Sequence, residues 1–351
     1  MTLAHHSTPP APAPAPTPAP VPSAGSADGT WDALVIGGGA AGLSGALMLA
    51  RSRRSVLVVD GGSPRNAPAD GVHGLFALDG TPPAELLRRG REEVRRYGGH
   101  VLTGQVVAAL PAAPGPTGDP RFAVTLADGT ALRARRLLVA TGLRDELPDV
   151  PGLAEHWGRD VVHCPYCHGW EVRDRPIGIL AVGPASLHHA LLFRQLTDDL
   201  VYFTRGTDLD PVDRERLAAR GVRIVDTPVV GVETGADGRI AGVRLADGGF
   251  TARGVLAVAT RMTARVDGLE GLGLPVRDLP AGMGRHLATG PAGTTEVRGV
   301  WSAGNAADPM AQVGASAAAG ALAAAHLNAD LATTDTDEAL THHTPAPVPA
   351  V

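Results

Sequence analysis

Between about residue 30 and residue 330 the apolar positions switch between a strand-like and a helix-like spacing, and the switches mark the elements. Ala33–Ile36 is a short apolar run that turns glycine-rich, and Ala41–Ala50 follows with helical spacing. Val56–Val59 is a second apolar run ending in Asp60, so the chain opens as β-α-β. Pro83–Tyr97 carries arginines and acids on one face and Leu86, Leu87 and Val94 on the other, which predicts a helix. Val101–Leu110, Arg121–Leu126 and Ala131–Ala140 read as strands, with Asp128-Gly129-Thr130 as a hairpin turn. A second series then begins: strand Ile177–Val182, helix Ser186–Leu196, strand Leu200–Phe203, helix Pro211–Arg220 and strand Val222–Asp226. A strand pair around Asp237-Gly238 and the run Gly254–Ala259 complete it. The chain returns with strand Val300–Ala303 and an alanine-rich helix, Gln312–Leu327, so the second α/β unit is inserted into the first.

The expected division is a discontinuous first domain at 30–152 and 288–331, with an inserted domain at 153–287. Residues 1–29 alternate alanine and proline after the opening MTLAHHSTPP, and proline favours an extended, solvated chain, so they are expected to be a disordered tail. The same is expected of 332–351, which ends THHTPAPVPAV. Each tail carries a His-His pair without the further ligands a metal site needs, and no metal is expected.

Composition removes several chemistries. All 31 basic residues are arginine, so Schiff-base catalysis and a phosphate-gripping Walker A lysine are excluded. A net charge of −5 leaves no basic footprint for nucleic acid. No run of 18 strongly apolar residues suits a membrane span, and the first residues do not read as a signal peptide. The only two cysteines, Cys164 and Cys167, stand three positions apart. That is unlike a secreted disulfide scaffold and points to redox or metal chemistry in the cytoplasm.

Two motifs carry the candidate chemistry. Val35-Ile36-Gly37-Gly38-Gly39-Ala40-Ala41-Gly42 fits G-x-G-x-x-G between a strand and a helix. There Gly37 makes the turn, Gly39 admits a pyrophosphate, Gly42 lets helix meet strand, and Asp60 accepts ribose hydroxyls. Leu138–Gly142 and Val300–Asp308 are further strands ending in glycine. The second places Asn305 on a ribitol and the start of the Gln312 helix near a flavin pyrimidine. The other motif is His163-Cys164-Pro165-Tyr166-Cys167-His168-Gly169-Trp170-Glu171, whose C-x-x-C spacing permits an easily reduced disulfide. A zinc half-site of the same cysteines and histidines is the competing reading, though adjacent histidines converge poorly on one ion.

These pieces occur in one order: the Gly37 fingerprint, Ala140-Thr141-Gly142, the C-x-x-C opening an inserted domain, and the Gly304 element. In that order they resemble the low-molecular-weight thioredoxin reductase family of FAD-dependent disulfide oxidoreductases, across residues 31–331. The resemblance implies two Rossmann-like dinucleotide-binding domains of three-layer ββα/α type, a homodimer, and FAD as cofactor. FAD contacts are implied at Gly37, Gly39, Ala40, Ala41, Gly42, Asp60, Gly61 and Asn66. Further contacts fall at Val106, Thr141, Gly142, Gly304, Asn305, Gln312 and Val313. It further implies a two-electron relay between flavin and the Cys164–Cys167 disulfide, with Cys167 facing the flavin and Cys164 exchanging with substrate. His168 takes the place of an aspartate in ordinary members and is a candidate acid–base group. His163 is a second such candidate, with simple packing as its alternative.

The second nucleotide fingerprint departs from the family. Gly183-Pro184-Ala185-Ser186-Leu187-His188 lacks the second glycine, Pro184 removes a backbone donor, and only Arg205 follows the next strand. NADPH use is therefore in question. His-Gly-Trp-Glu after the cysteines, together with Asn305, resembles the dithiol oxidase branch of gliotoxin and holomycin type, whose members return electrons to oxygen. Three readings stay open: a dithiol oxidase acting on a small dithiol, an NADPH-dependent reductase of a thioredoxin-like protein, and a flavin redox sensor without turnover.

Overall fold

The computed structural model describes residues 29–115 and 117–343; the segments 1–28 and 344–351, expected to be tails, lie outside the described residues. The chain begins β1 (Thr30–Ile36), α1 (Ala40–Arg51), β2 (Val56–Asp60), α2 (Pro83–Arg96) and β3 (His100–Thr103). An antiparallel meander follows: β4 (Val106–Ala112), β5 (Arg121–Leu126) and β6 (Ala131–Val139). The long β6 serves two purposes. Its first half closes the meander, and Arg133–Val139 pairs in parallel with β1, giving the order β3-β2-β1-β6. β1 is apolar on both faces because both faces are covered. Leu34 and Ile36 pack under the meander with Phe122 and Leu126, while Ala33 and Val35 pack under α1 with Leu49.

After β7 (Leu143–Glu146) the chain enters the inserted unit: β8 (Val161–Val162), α3 (Pro165–His168), β9 (Ile177–Leu180), α4 (Ala185–Phe193), β10 (Leu200–Phe203), α5 (Pro211–Ala219) and β11 (Arg223–Val225). A small antiparallel sheet, β12 (Val229–Thr234), β13 (Ile240–Leu245) and β14 (Phe250–Ala252), precedes β15 (Val255–Val258). The parallel order is β11-β10-β9-β15-β8. One face carries Phe193 and Leu217 from the helices, and the other Ile240 and Val243 from the small sheet. Both units are therefore three-layer, Rossmann-like structures, the second inserted into the first.

Two boundaries differ from expectation. The insertion ends near Thr260, not at 287. β16 (Arg261–Ala264) pairs antiparallel with β7, and β17 (Val276–Asp278) and β18 (Gly284–Leu287) extend that sheet. Leu269, Leu272 and Leu287 are buried in the first unit's core, beside β4. Short apolar runs do not reveal which core they join, so the periodicity misassigned them. β19 (Val300–Ser302) then adds to the end of β6, and α6 (Val313–Thr341) packs on α1. Small residues bring these two helices together: a Cβ on Gly320 would stand 2.0 Å from the Ala41 carbonyl oxygen.

The second difference lies in α6, which continues through Thr341, so 332–341 is helix and not tail. Its Thr- and Asp-rich last turns have low helix propensity, but tertiary partners hold them. Arg136, fully buried, is bound by Asp330 and by Thr334 at 2.8 Å. Asp335 accepts from Arg54 at 2.5 Å and Arg135 at 2.6 Å. Ending the chain after Leu331 removes Thr334 from the buried Arg136 and Asp335 from Arg54 and Arg135. Denaturant titration is expected to show a loss on the order of 3 kcal/mol; unchanged stability would mean the last turns are not held by these arginines.

Candidate active site

The site forms where β1 meets α1. Gly37 has φ +111°, and a Cβ there would stand 2.2 Å from the Ala140 carbonyl oxygen, so only glycine permits the turn. A Cβ on Gly42 would lie 1.9 Å from the Gly37 carbonyl oxygen, which sets α1 flush against the strand. Gly39 behaves differently. A Cβ there meets no atom within 4 Å, and the residue borders a cavity of about 970 Å³. Space left free at the start of a 12-residue helix is a cradle for a pyrophosphate, so the residues present fit FAD.

The other expected FAD residues distribute around the same cavity, Gly42 excepted. Ala40, Ala41, Asp60, Gly61 and Asn66 border it from the β1 and β2 ends. Val106, Thr141 and Gly142 border it from the meander side, and Gly304, Asn305, Gln312 and Val313 from the return to α6. Two of them are already engaged within the protein. Asp60 accepts from Arg91 at 2.7 Å and from the Gly62 amide at 3.0 Å, so its carboxylate is oriented by an arginine the motif did not reveal. The Asn305 amide nitrogen donates to the carbonyls of Asp308, Pro309 and Ala311, at 3.0, 3.3 and 2.8 Å. It pins the turn that aims α6 at the cavity and leaves only its Oδ1 for a ligand.

Cys164 and Cys167 border this cavity too, joined as a disulfide with Cα atoms 5.2 Å apart. Cys164 caps α3, and the Cys167 amide donates to its Sγ at 3.1 Å, an interaction that favours a Cys164 thiolate on reduction. His168 ends α3. Both its ring nitrogens are shielded from water and have no hydrogen-bond partner among the described residues. Burial holds its pKa below the ordinary histidine range, against the nearby Glu171 carboxylate, which raises it. Among the described residues no group of three or more His, Cys, Asp or Glu side chains converges to hold a metal ion.

Residues that sequence reasoning missed join the two units beside the cysteines. Arg65, in the loop after β2, donates to Asp145 of β7 through Nε and Nη2, both at 2.7 Å. Asp145 also accepts from the Thr260 hydroxyl at 2.6 Å, and Thr260 touches the ring of His163. Across the mouth, His73 Nε2 stands 3.5 Å from Glu171 Oε1. Arg65, His73, Asp145 and Thr260 lie in no recognisable motif; only the fold brings them to the cysteine segment and its His163 and Glu171.

The crevice of the inserted unit differs from the first. Arg205 folds back to donate to the Ala181 carbonyl at 3.0 Å, at the end of β9. Ser186 Oγ accepts the Val182 amide at 3.0 Å, and Pro184, without an N–H, precedes α4. The groups that would grip a nucleotide there are spent on the protein itself.

Two nucleotide-type units, one inserted into the other, with a cysteine pair at the glycine cradle, define a flavin-dependent oxidoreductase acting on sulfur groups. The model of the pyridine nucleotide-disulphide oxidoreductase family matches residues 31–325, and the chain belongs to that family, whose cofactor is FAD. Relatives include thioredoxin reductase tcpT of Claviceps purpurea, 34% identical over 286 residues (78% of this chain, 86% of the relative). Thioredoxin reductase sirT of Leptosphaeria maculans is 33% identical over 298 residues, covering 81% and 89% of the two chains. Among solved structures, that of HlmI superposes with a TM-score of 0.84 at 44% identity, covering 91% of this chain and 98% of that one. An oxidoreductase from Agrobacterium tumefaciens gives 0.79 at 35%, covering 87% and 99%.

The two fingerprint glycines separate folding from cofactor binding. Gly39→Val is expected to fold normally yet lose FAD affinity by more than about tenfold, over ~1.4 kcal/mol, whereas Gly37→Ala is expected to disturb the fold itself. Circular dichroism and flavin content after purification read the two effects; a Gly39→Val protein with full flavin content would refute the cradle.

Proposed function

We propose that this protein oxidises a small dithiol to its disulfide with oxygen as the final acceptor, working as a homodimer in the cytoplasm. The overall change is dithiol plus oxygen to disulfide plus hydrogen peroxide. The observation that carries the reading is the inserted unit's crevice, where Arg205 and Ser186 are bound to the protein's own backbone and Pro184 removes a donor. An enzyme reoxidised by oxygen has no need of a second nucleotide, and such a crevice is free to close on itself.

When bound, FAD supplies a two-electron acceptor for the cysteine pair and passes electrons on to oxygen. The remaining work falls to side chains. Cys164, with its Sγ facing the Cys167 amide, exchanges with the substrate thiol, and Cys167 leaves as the thiolate on the flavin side. Gly37, Gly39, Ala40, Ala41 and Asp60, which line one end of the cavity, would hold the cofactor's phosphates and ribose, and Thr141, Gly142, Asn305 and Gln312 would surround the remainder. His168, neutral and sealed, is placed to take or return a proton once a partner reaches it. No helix among the described residues is long and apolar enough to cross a membrane.

The second reading is an NADPH-dependent reductase of a thioredoxin-like protein, favoured by the names of relatives such as tcpT and sirT. Anaerobic mixing of the holoenzyme separates the two. Dithiothreitol is expected to bleach the flavin within seconds and NADPH is not, while Cys164→Ser and Cys167→Ser each slow dithiol bleaching by roughly 10³-fold. Fast bleaching by NADPH would overturn the oxidase reading, and full activity of either serine variant would overturn the relay.

A further inference from the structure

We propose that Tyr166, Trp170, Phe76 and Met310 form a rim that selects the substrate, favouring an apolar dithiol with a flat ring over a small polar one. The proposal rests on the dithiol-oxidising reading above and names the substrate class for it. Among the described residues these are the four most exposed large apolar side chains, at 66%, 67%, 96% and 68% respectively. Aromatic residues make up only 3% of the chain, yet three of them stand open on segments that meet at the cysteines. Single exposed apolar residues are ordinary on a protein surface, whereas a group of them beside a reactive centre marks a binding site.

Three segments supply the rim. Tyr166 stands between Cys164 and Cys167 on α3 and borders the cavity, as does Met310 just before α6. Gly169 keeps helical backbone (φ −65°, ψ −36°), and its amide donates to the Pro165 carbonyl at 3.0 Å, so the turn runs on past α3. Trp170, four positions after Tyr166, therefore lies one turn further along the same side. Phe76 belongs to the loop between β2 and α2, which reaches both other segments. Its His73 Nε2 stands 3.5 Å from Oε1 of Glu171, the neighbour of Trp170. A Cβ on Gly74 would lie 3.6 Å from Gln312 Oε1, and one on Gly314 would lie 3.5 Å from Leu75. The loop thus rests on the start of α6, directly after Met310.

The rim is built, not loose. Val72 and Thr81 pair across the base of the loop, the Leu78 amide donates to the Leu75 carbonyl at 3.0 Å, and Asp79 accepts from the Gly74 amide at 2.7 Å. Next to Phe76, Ala77 is held at φ +64°, a left-handed conformation that an alanine keeps only where its surroundings enforce it. Trp170 is fixed in another way. The Arg173 guanidinium lies 4.0 Å from its ring centroid, and Arg173 donates to the Trp170 carbonyl at 2.6 Å. One face of the indole is covered while most of the residue stays exposed, so the other face is open. A fixed aromatic face stacks well on another ring, and little ordering cost remains when the ligand arrives.

The size of the rim points to a small molecule. A stable protein partner needs about 20–30 residues on each side, and the rim offers four side chains. Tyr166 and Met310 border the same cavity as the disulfide, so a ligand seated on them is continuous with the reacting sulfurs.

Two dithiols that close to rings of equal size test this: dithiothreitol, small and polar, and ortho-xylylenedithiol, apolar with a flat ring. For each, kcat/KM is read from oxygen uptake by the holoenzyme and divided by its rate of exchange with free oxidised glutathione, which removes the difference in intrinsic reactivity. The native protein is expected to prefer the aromatic dithiol by at least about tenfold. Trp170→Ala is expected to lower that preference about tenfold, through KM and not kcat, and Trp170→Phe to restore most of it. Phe76→Ala, on a separate segment, is expected to lower it about threefold. A merely structural role slows both dithiols alike and leaves the preference unmoved. That result in both alanine variants, or a native protein without preference, would overturn the proposal. Variants that lose exchange with reduced thioredoxin while keeping the preference would overturn it too, since the rim would then dock a protein. If neither dithiol supports oxygen uptake by the native holoenzyme, it is the dithiol-oxidising reading that fails, and the proposal falls with it.

Discussion

The buried carboxylate of Asp145 is the interaction on which the rest of the site depends. It stands on β7, where the chain crosses from one unit into the other, and its side chain is only 4% exposed. Burial alone would raise its pKa, but the Arg65 guanidinium outweighs that and holds Asp145 below the ordinary carboxylate range. A charge so placed is tolerated only while its partners are present, and removing one typically costs about 3–5 kcal/mol. Arg65 comes from the flavin side and Thr260 from the far crossing, so satisfying one carboxylate fixes the two units against each other. Cys164 and Cys167 then share a cavity with the Gly37–Ala41 cradle.

The two crevices are built alike and have been put to different use. In the first, Gly39 leaves empty space at a helix start and Asp60 is oriented by Arg91, both suited to a nucleotide. In the second, α4 docks through His189 onto the His163 backbone, and Arg205 closes on Ala181. The helix that binds a pyrophosphate in an intact fingerprint here supports the cysteine segment. The same helix that starts this crevice thus braces the redox pair.

Much of this was legible in the sequence where chemistry is local. The Gly37 turn, the C-x-x-C and the damaged Gly183 loop are contiguous, and each has a steric or electronic reason that reads directly from residue type. What was not legible depends on long-range pairing. Residues 261–287 join the first core through Leu269 and Leu272, and α6 persists past Leu331 because Asp335 meets Arg54 and Arg135 and Thr334 meets Arg136. The contacts of His163 with Thr260, and of Thr260 with Asp145, likewise span nearly 100 residues and more.

The central claim is that two electrons leave a dithiol through the cysteine pair and reach oxygen without a nicotinamide nucleotide. The most direct test is stoichiometric: disulfide closed, oxygen consumed and peroxide formed during aerobic turnover of a small dithiol, with and without NADPH. The account expects one peroxide for each disulfide closed and no response to NADPH. Turnover that requires NADPH, or disulfide formation without oxygen uptake, would contradict it.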